Sequence, residues 1–299
     1  MRNIRRILLA STLGWMAGSW AQNDQIIPDI TTQPVADGIY MLIGMGGNMG
    51  LSVGEDATFL IDDQMAPINR KIKAAVAEIT DQPVKFVLNT HHHFDHTGGN
   101  EAFGKTGAII VAHDNVRERM STTQVLSFFN TEVPPAPPIA LPVITFDNTT
   151  TFHLNGHTIS VFHVPNAHTD GDVIVRFEEA NVMHLGDTYF SSSYPFLDLD
   201  GGGSLDGMIA AADRVLTIAD DDTRIMPGHG PLASATELRD YRDMLVTVRQ
   251  RVANLIADGA DEAAVIAARP TRDLDKQWAT GSRPPDRWLP LVYASLKNP

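Results

Sequence analysis

The chain has 299 residues, 20% of them charged, with 23 basic against 36 acidic side chains and a formal net charge of −13. This length supports a sizeable core in one large domain or two small ones, and the acidic balance argues against nucleic acid or an anionic membrane as the main partner. Cysteine is absent, which excludes both a disulfide framework and thiolate metal ligands.

The first 21 residues differ in kind from the rest. Arg2, Arg5 and Arg6 precede an apolar run from Ile7 to Trp20 that ends in Ser19-Trp20-Ala21, a small-x-small cleavage signature. The run is too short for a stable span, so it reads as a cleaved signal peptide of a periplasmic or secreted protein with no integral membrane association afterwards. Arg5-Arg6-Ile7-Leu8-Leu9 half-matches a twin-arginine signal, leaving two export routes open. Cleavage after Ala21 would remove three arginines and no acids, taking the formal charge from −13 to −16. Residues 22–299 are then expected to form a single domain.

In that domain Gln22 to Ala36 reads as an irregular lead-in. Strands are predicted at Ile39–Ile43 and Met49–Val53, joined by Gly44–Asn48 as a hairpin with a mobile tip, and at Thr58–Asp63. A helix follows near Ile68–Thr80, then strands at Val84–Leu88 and Ala108–His113. Residues 121–142 break the rhythm, because Pro134-Pro135-Ala136-Pro137-Pro138 can continue neither a helix nor a central strand. The segment reads either as a lid or as a stiff surface connection. Phe152–Val164 resumes strand character around an Asn155-Gly156 turn, followed by strands at Val173–Phe177, Val182–Leu185 and Arg224–Met226. Helical spacing covers Leu205–Ala219, Thr236–Asp258 and Trp288–Lys297. Such alternation predicts two sheets packed face to face with helices outside.

The most informative stretch is His91-His92-His93-Phe94-Asp95-His96, directly after the apolar strand Val84–Leu88. Its polar groups exceed what a core strand satisfies, and imidazole with carboxylate is the usual ligand set of zinc and similar cations. Side chains two apart share a face, so His91 and His93 form one ligand pair and Asp95 with His96 a second. Three later loops hold similar candidates, each in a glycine-containing loop at a strand end. They are His168 in Asn166-Ala167-His168-Thr169-Asp170-Gly171-Asp172, Asp187 in Leu185-Gly186-Asp187-Thr188, and His229 in Pro227-Gly228-His229-Gly230.

Taken together, these motifs resemble the metallo-β-lactamase superfamily, whose pattern is His-x-His-x-Asp-His, then His, then Asp or Cys, then His. The match runs in the family's order over most of Ile39 to His229. The resemblance implies a four-layer αβ/βα sandwich with two zinc ions in a groove at one edge. It assigns His91, His93 and His168 to the first metal, Asp95, His96 and His229 to the second, and Asp187 to both. The implied chemistry is hydrolysis of an activated carbonyl in a small molecule by a hydroxide shared between the metals, with Asp95 as proton carrier.

Departures bear on the substrate. Asp187 stands where the best-known lactamase branch has Cys, and Phe190 where that branch often has Lys; an acidic bridge is what glyoxalase II-like thioesterases and lactonases carry. Export favours β-lactam hydrolysis, which is the preferred expectation, with lactone, thioester or other ester hydrolysis as the alternative. A zinc-binding protein without catalysis and an iron oxidoreductase are further rivals, and no flavin or redox segment is visible for the latter. Met45, Met49, Phe128, Phe129, the Tyr189-Phe190 pair and Tyr194-Pro195-Phe196 are candidates for an apolar substrate wall or for packing. His92 is read as a supporting or structural residue, His184 as an ordinary strand histidine with supporting work as the lesser alternative, and Asp220–Asp222 as a solvated helix-end run.

Overall fold

Alternating apolar residues in the first half of the chain build a seven-stranded sheet in the computed structural model, which describes residues 28–281 and 283–297. The expected leader, residues 1–21, lies outside the described residues. In chain order this half comprises β1 (Thr31–Ala36), β2 (Ile39–Ile43), β3 (Met49–Ser52), β4 (Thr58–Ile61), α1 (Asn69–Ala77) and β5 (Val84–Leu88). It continues through α2 (Phe94–Thr97), α3 (Asn100–Gly104), β6 (Ile109–His113), α4 (Asp114–Met120), β7 (Gln124–Leu126), β8 (Thr131–Val133) and β9 (Ile144–Phe146). The second half comprises β10 (Thr149–Leu154), β11 (His157–His163), β12 (Val173–Phe177), β13 (Val182–His184), α5 (Leu205–Leu216) and β14 (Arg224–Met226). It ends with β15 (Ala233–Ser234), α6 (Ala235–Ala257), α7 (Glu262–Ala268), α8 (Asp275–Trp278) and α9 (Pro285–Lys297).

The first sheet runs β1-β2-β3-β4-β5-β6-β9, antiparallel as far as β4 and parallel beyond it. The second runs β10 to β15 in order, with β13 and β14 its parallel pair. Consecutive residues of a strand face opposite sides, and both sides are apolar here. Met41, Ile61, Leu88 and Val111 meet Val161, Val175, Val182 and Met226 between the sheets. Their neighbours Leu42, Leu60, Val87 and Ile110 turn outward and are covered by Ile72 and Val76 of α1 and Phe103 of α3. On the far side Ile174, Met183 and Ile225 pack with Met208 of α5, Leu238 and Leu245 of α6 and Trp288 of α9. Each such fully buried side chain contributes about 1.5–3 kcal/mol relative to exposure. The outcome is the four-layer sandwich expected, helices outside two stacked sheets.

Three local readings need correction or detail. Residues 31–36 are not an irregular lead-in but pair with β2, and Pro34 is tolerated because β1 is an edge strand that leaves one side unpaired. The proline-rich segment contains a small hairpin, β7 with β8, beside the extended stretch Pro134–Pro137. The short helices α4, α7 and α8 carry too few turns to show a period in sequence. The Asn155-Gly156 turn is present as expected, with φ of 57° and 76°.

Parallel pairing of β4 with β5, and of β13 with β14, sends the loops after all four strands out at the same ends of their sheets. Those loops carry Asp62, the histidine tract, Asp187 and His229.

Candidate metal centre

The histidine tract leaves β5 through Asn89 and Thr90 and closes at once into α2, whose first residue follows His93. Asn89 and Asn100 exchange side-chain hydrogen bonds of 2.9–3.1 Å, and Asp63 accepts from the Gly99 backbone at 2.8 Å, so both ends of the tract are tied down. His91, His93, His168 and Asp187 offer ligand atoms that all lie within 4.8 Å of one another, as do Asp95, His96 and His229. These are the two groupings that the resemblance implies.

In the first group His93 Nδ1 lies 3.0 Å from His168 Nε2, and Asp187 Oδ2 lies 3.5 Å from His168 Nε2 and 3.9 Å from His91 Nε2. In the second, His229 Nε2 lies 3.3 Å from Asp95 Oδ2, and His96 Nε2 lies 3.8 Å from Asp95 Oδ2. Asp187 reaches both groups, its Oδ1 3.1 Å from His96 Nε2 and its Oδ2 3.4 Å from His229 Nε2. Ligands at zinc's usual distances sit about 3.4 Å apart at the corners of a tetrahedron, which is the spacing seen. His91 Nε2 is buried without a hydrogen-bond partner, and buried His96 Nε2 and Asp187 Oδ1 have only each other, as an ion pair at 3.1 Å. Left unpaired, His91 Nε2 would cost about 1–3 kcal/mol, and a cation in each group would satisfy all three atoms. The residues therefore fit a pair of divalent metals.

The two groups differ in charge. Burial and the neighbouring His96 hold His91 well below the ordinary imidazole range, and burial lowers His168 to about 4 with help from His93. Burial opposes ionisation of Asp187, but His229 and His96 outweigh it and hold the carboxyl well below its usual range. For the same reason Asp95 falls to about 2, held by His96 and His229 against its burial. His229 rises to about 9, because Asp187 and Asp95 overcome the burial that would keep it neutral.

The imidazole nitrogens turned away from the cluster are themselves held. His168 Nδ1 meets the Phe196 carbonyl at 2.9 Å and His91 Nδ1 meets the Thr90 hydroxyl at 3.0 Å. His93 Nε2 meets Asp198 Oδ2 at 2.8 Å and His96 Nδ1 meets Asp62 Oδ2 at 2.8 Å. Asp62 also accepts from the Thr90 hydroxyl and backbone, each at 2.7 Å, so it touches the supports of both groups. Such contacts set tautomer and ring orientation. Asp62 and Asp198 were not singled out from sequence; an acid closing an apolar strand was the one signal available, and only for Asp62.

The Gly44–Asn48 connection is not a free tip. Gly47 donates to the Asp95 carbonyl at 3.1 Å, and the Asn48 side chain donates to Pro227 and Gly230 carbonyls at 2.9 and 2.8 Å. A Cβ on Gly47 would lie 2.1 Å from the His96 ring, and one on Gly228 would lie 2.0 Å from Asp187 Oδ1. Glycine is needed at both places to let backbone reach the cluster. His92 is buried with its Nε2 3.8 Å from Asp198, and His184 meets the Asn48 carbonyl at 3.2 Å, as supporting residues would.

A groove of about 410 Å³ opens on Asp95, Asp187 and His229, walled by Phe129, Phe190 and Phe196 with Arg283 at one side. Phe190 stacks on His229 at 5.2 Å, and the Arg283 guanidinium lies 4.6 Å over the Phe190 ring. The other wall candidates fall elsewhere. Met49 belongs to the outer core of the first sheet, Tyr189 packs on Tyr241, Tyr194 stacks on Trp288, and Phe128 lies beneath Arg287. Met45 is exposed and lines none of the site.

A family model described as Metallo-beta-lactamase superfamily matches residues 43–229. A hydroxyacylglutathione hydrolase from Pelagibacter ubique is 28% identical over 109 residues, covering 36% of this chain and 37% of that protein. The chain spans 36–55% of the length of the first such curated relatives. Among solved structures, the DIM-1 metallo-beta-lactamase superposes with a TM-score of 0.60 at 18% identity, over 74% of this chain and 99% of that one. The inverting sec-alkylsulfatase Pisa1 from Pseudomonas sp. gives 0.69 at 18% identity, over 88% of this chain and 50% of that one. At such identity these two likenesses speak for the fold.

Proposed function

The chain belongs to the metallo-beta-lactamase superfamily, and on that footing we propose that it is an exported two-zinc hydrolase that opens β-lactam rings. His91, His93 and His168 would hold one cation, Asp95, His96 and His229 the other, with Asp187 between them. The cations would supply Lewis acidity and make water deprotonation accessible near neutral pH. The chain's own groups do the rest. Asp95 has a side chain 20% exposed at the groove, the most accessible carboxylate of the cluster. It would take the proton of the attacking water and return it to the departing nitrogen. Phe129, Phe190 and Phe196 keep bulk water off the reacting carbonyl.

The observation that carries the β-lactam reading is Arg283. Phe190 occupies the position of the lysine that would receive a drug's carboxylate, but a guanidinium from a distant segment lies over that same ring. Its Nε donates to the Tyr194 carbonyl at 2.9 Å, which fixes the plane of a cation at the groove wall, where a carboxylate beside a strained amide would meet it. The test is one panel of a penicillin, a cephalosporin, a carbapenem, an acyl lactone and a glutathione thioester. β-Lactams should be hydrolysed fastest, and Arg283→Ala should raise their KM by roughly 10–100-fold, the worth of a charge-assisted hydrogen bond. A lactone or thioester turned over a hundredfold faster than every β-lactam, about 2.7 kcal/mol in the barrier, would overturn the substrate and leave the hydrolase.

Thioester hydrolysis is the second reading, favoured by the acid at Asp187 and by the hydroxyacylglutathione hydrolase relative. Export rests on residues 1–21 of the sequence. It predicts a periplasmic product whose intact mass begins at Gln22, and a full-length product held in the inner membrane would refute it.

A further inference from the structure

A second cavity, of about 250 Å³, lies behind the histidine tract. It is walled by Met120 at the end of α4, Leu126 and Val133 of the β7–β8 hairpin, the Pro134–Pro137 stretch and Ala140. Its charged neighbours are already engaged. Arg119 grips Asp170 through two bonds of 2.6 and 2.7 Å and reaches Gln124 at 3.1 Å, and Glu101 pairs with Lys105. The space they leave is mostly apolar, with His92, His93 and Thr97 on the side of the histidine tract. The proline stretch is pinned within by Ala136, which donates to the Met120 carbonyl at 2.8 Å, and just beyond its end by Ala140, whose carbonyl accepts from the Asn100 side chain at 2.9 Å. The wall is therefore held in place before any ligand arrives.

This cavity and the metal-centre groove share three walls, His93, Phe94 and Leu126. Phe94 is 45% exposed, although it sits between Asp95 and the buried His93. An aromatic ring so placed costs solvation in the free protein unless something apolar covers it. An apolar cavity of about 150 Å³ already accepts benzene, so this one has room for a ring with a short linker or for a medium alkyl chain.

We propose that the cavity between α4, the β7–β8 hairpin and Pro134–Pro137 is the subsite for an apolar aryl or alkyl substituent of the substrate, passed over Phe94 from the groove. The inference rests on the hydrolase reading above and names the kind of substrate that reading prefers: one with an apolar arm attached to the carbonyl-bearing part. It also decides between the two sequence readings of residues 121–142, making them a fixed specificity wall rather than a lid or a bare connection.

The test uses zinc-loaded protein titrated calorimetrically with methyl-, propyl-, hexyl- and benzylphosphonate, whose common anion anchors at the metal centre while the arm varies. Affinity should rise roughly fourfold per buried methylene, so hexyl should exceed methyl by at least ~50-fold once about three of its added methylenes reach the cavity. Ala136→Phe and, separately, Val133→Trp should fill the space and collapse the hexyl-to-methyl ratio to within a few-fold. Two positions guard against one variant failing to fold. A flat series in the unmodified protein, or a steep one that survives both fillings, would overturn the subsite. If no compound of the hydrolysis panel is turned over while the ratio still responds to the fillings, the substrate class falls and the subsite stands. If β-lactams are hydrolysed and the phosphonate series is flat, the reverse holds.

Discussion

The two halves of the metal centre are built on different physical principles. The first, His91, His93 and His168, is buried, and burial keeps His91 and His168 below the ordinary imidazole range. Each outward nitrogen of the three is fixed by a hydroxyl, a carboxylate or a carbonyl. The second, Asp95, His96 and His229, reaches the groove through Asp95 and His229, the latter's side chain 32% exposed, while His96 is buried, and it sets imidazole against carboxylate. That half adds its own charge pairs to the support Asp62 gives His96, whereas the first relies on its supports. Preorganised neutral imidazoles need little rearrangement to take a cation; a charge-paired set must first give up its protons.

Several measurements would break or sharpen this contrast. The largest effect is expected from Asp187→Ala, since Asp187 lies within 3.9 Å of His91, His96, His168 and His229. Elemental analysis should show both cations lost, or retained only at high zinc. Retention of two metals would remove Asp187 from its position between the halves. His93→Ala should abolish turnover by more than the roughly 10–100-fold expected of an orienting residue, while about one metal remains in the second half. Loss of both cations there would mean that the halves act as one unit.

A smaller pair of effects separates the supports. Asp198→Asn should weaken zinc at the first half by about 10–100-fold and spare the second, because Asp198 bonds His93. Asp62→Asn should weaken both by a similar factor, because Asp62 bonds His96 directly and reaches His91 through Thr90. Competition with a chromophoric chelator resolves the two affinities, and equal responses to both substitutions would contradict the separation.

The smallest effect is in the pH dependence of the metal-free chain. His229 is raised to about 9 from an ordinary value near 6.5, so its stabilising charge pair is complete below about 6.5 and is lost as pH rises through 9. The unfolding temperature of chelator-treated protein should therefore fall between those values. Metal binding displaces protons, so the zinc-loaded protein should lack that decline or reverse it. His92→Ala should leave the metal content nearly full, since His92 lies in neither of the two halves.

Much of this was legible along the chain because metal chemistry is selective about residue type. Imidazoles two apart after an apolar strand, and single acids or histidines in glycine-containing loops at later strand ends, are rarely produced by packing alone. The strands β2 to β6 and β11 to β14 could be read because burial makes their runs largely apolar, whereas β10 was read only from Phe152, its three leading threonines being polar and exposed or half-buried. Thr31–Ala36 escaped because an edge strand containing proline carries little apolar signal. Tertiary structure alone decided which neighbours serve the site. Asp198 meets His93 across 105 positions and Asp62 meets His96 across 34; nothing local distinguishes Asp198 from a solvated acid, and Asp62 shows only its place at the end of an apolar strand. Likewise Arg283 reaches Phe190, and the Pro134–Pro137 stretch walls a cavity beside Phe94, only because the sheets and helices stack as they do. Ligand identity is written in residue chemistry at short spacing, whereas support, charge balance and pocket shape are sums over contacts that exist only once the layers close.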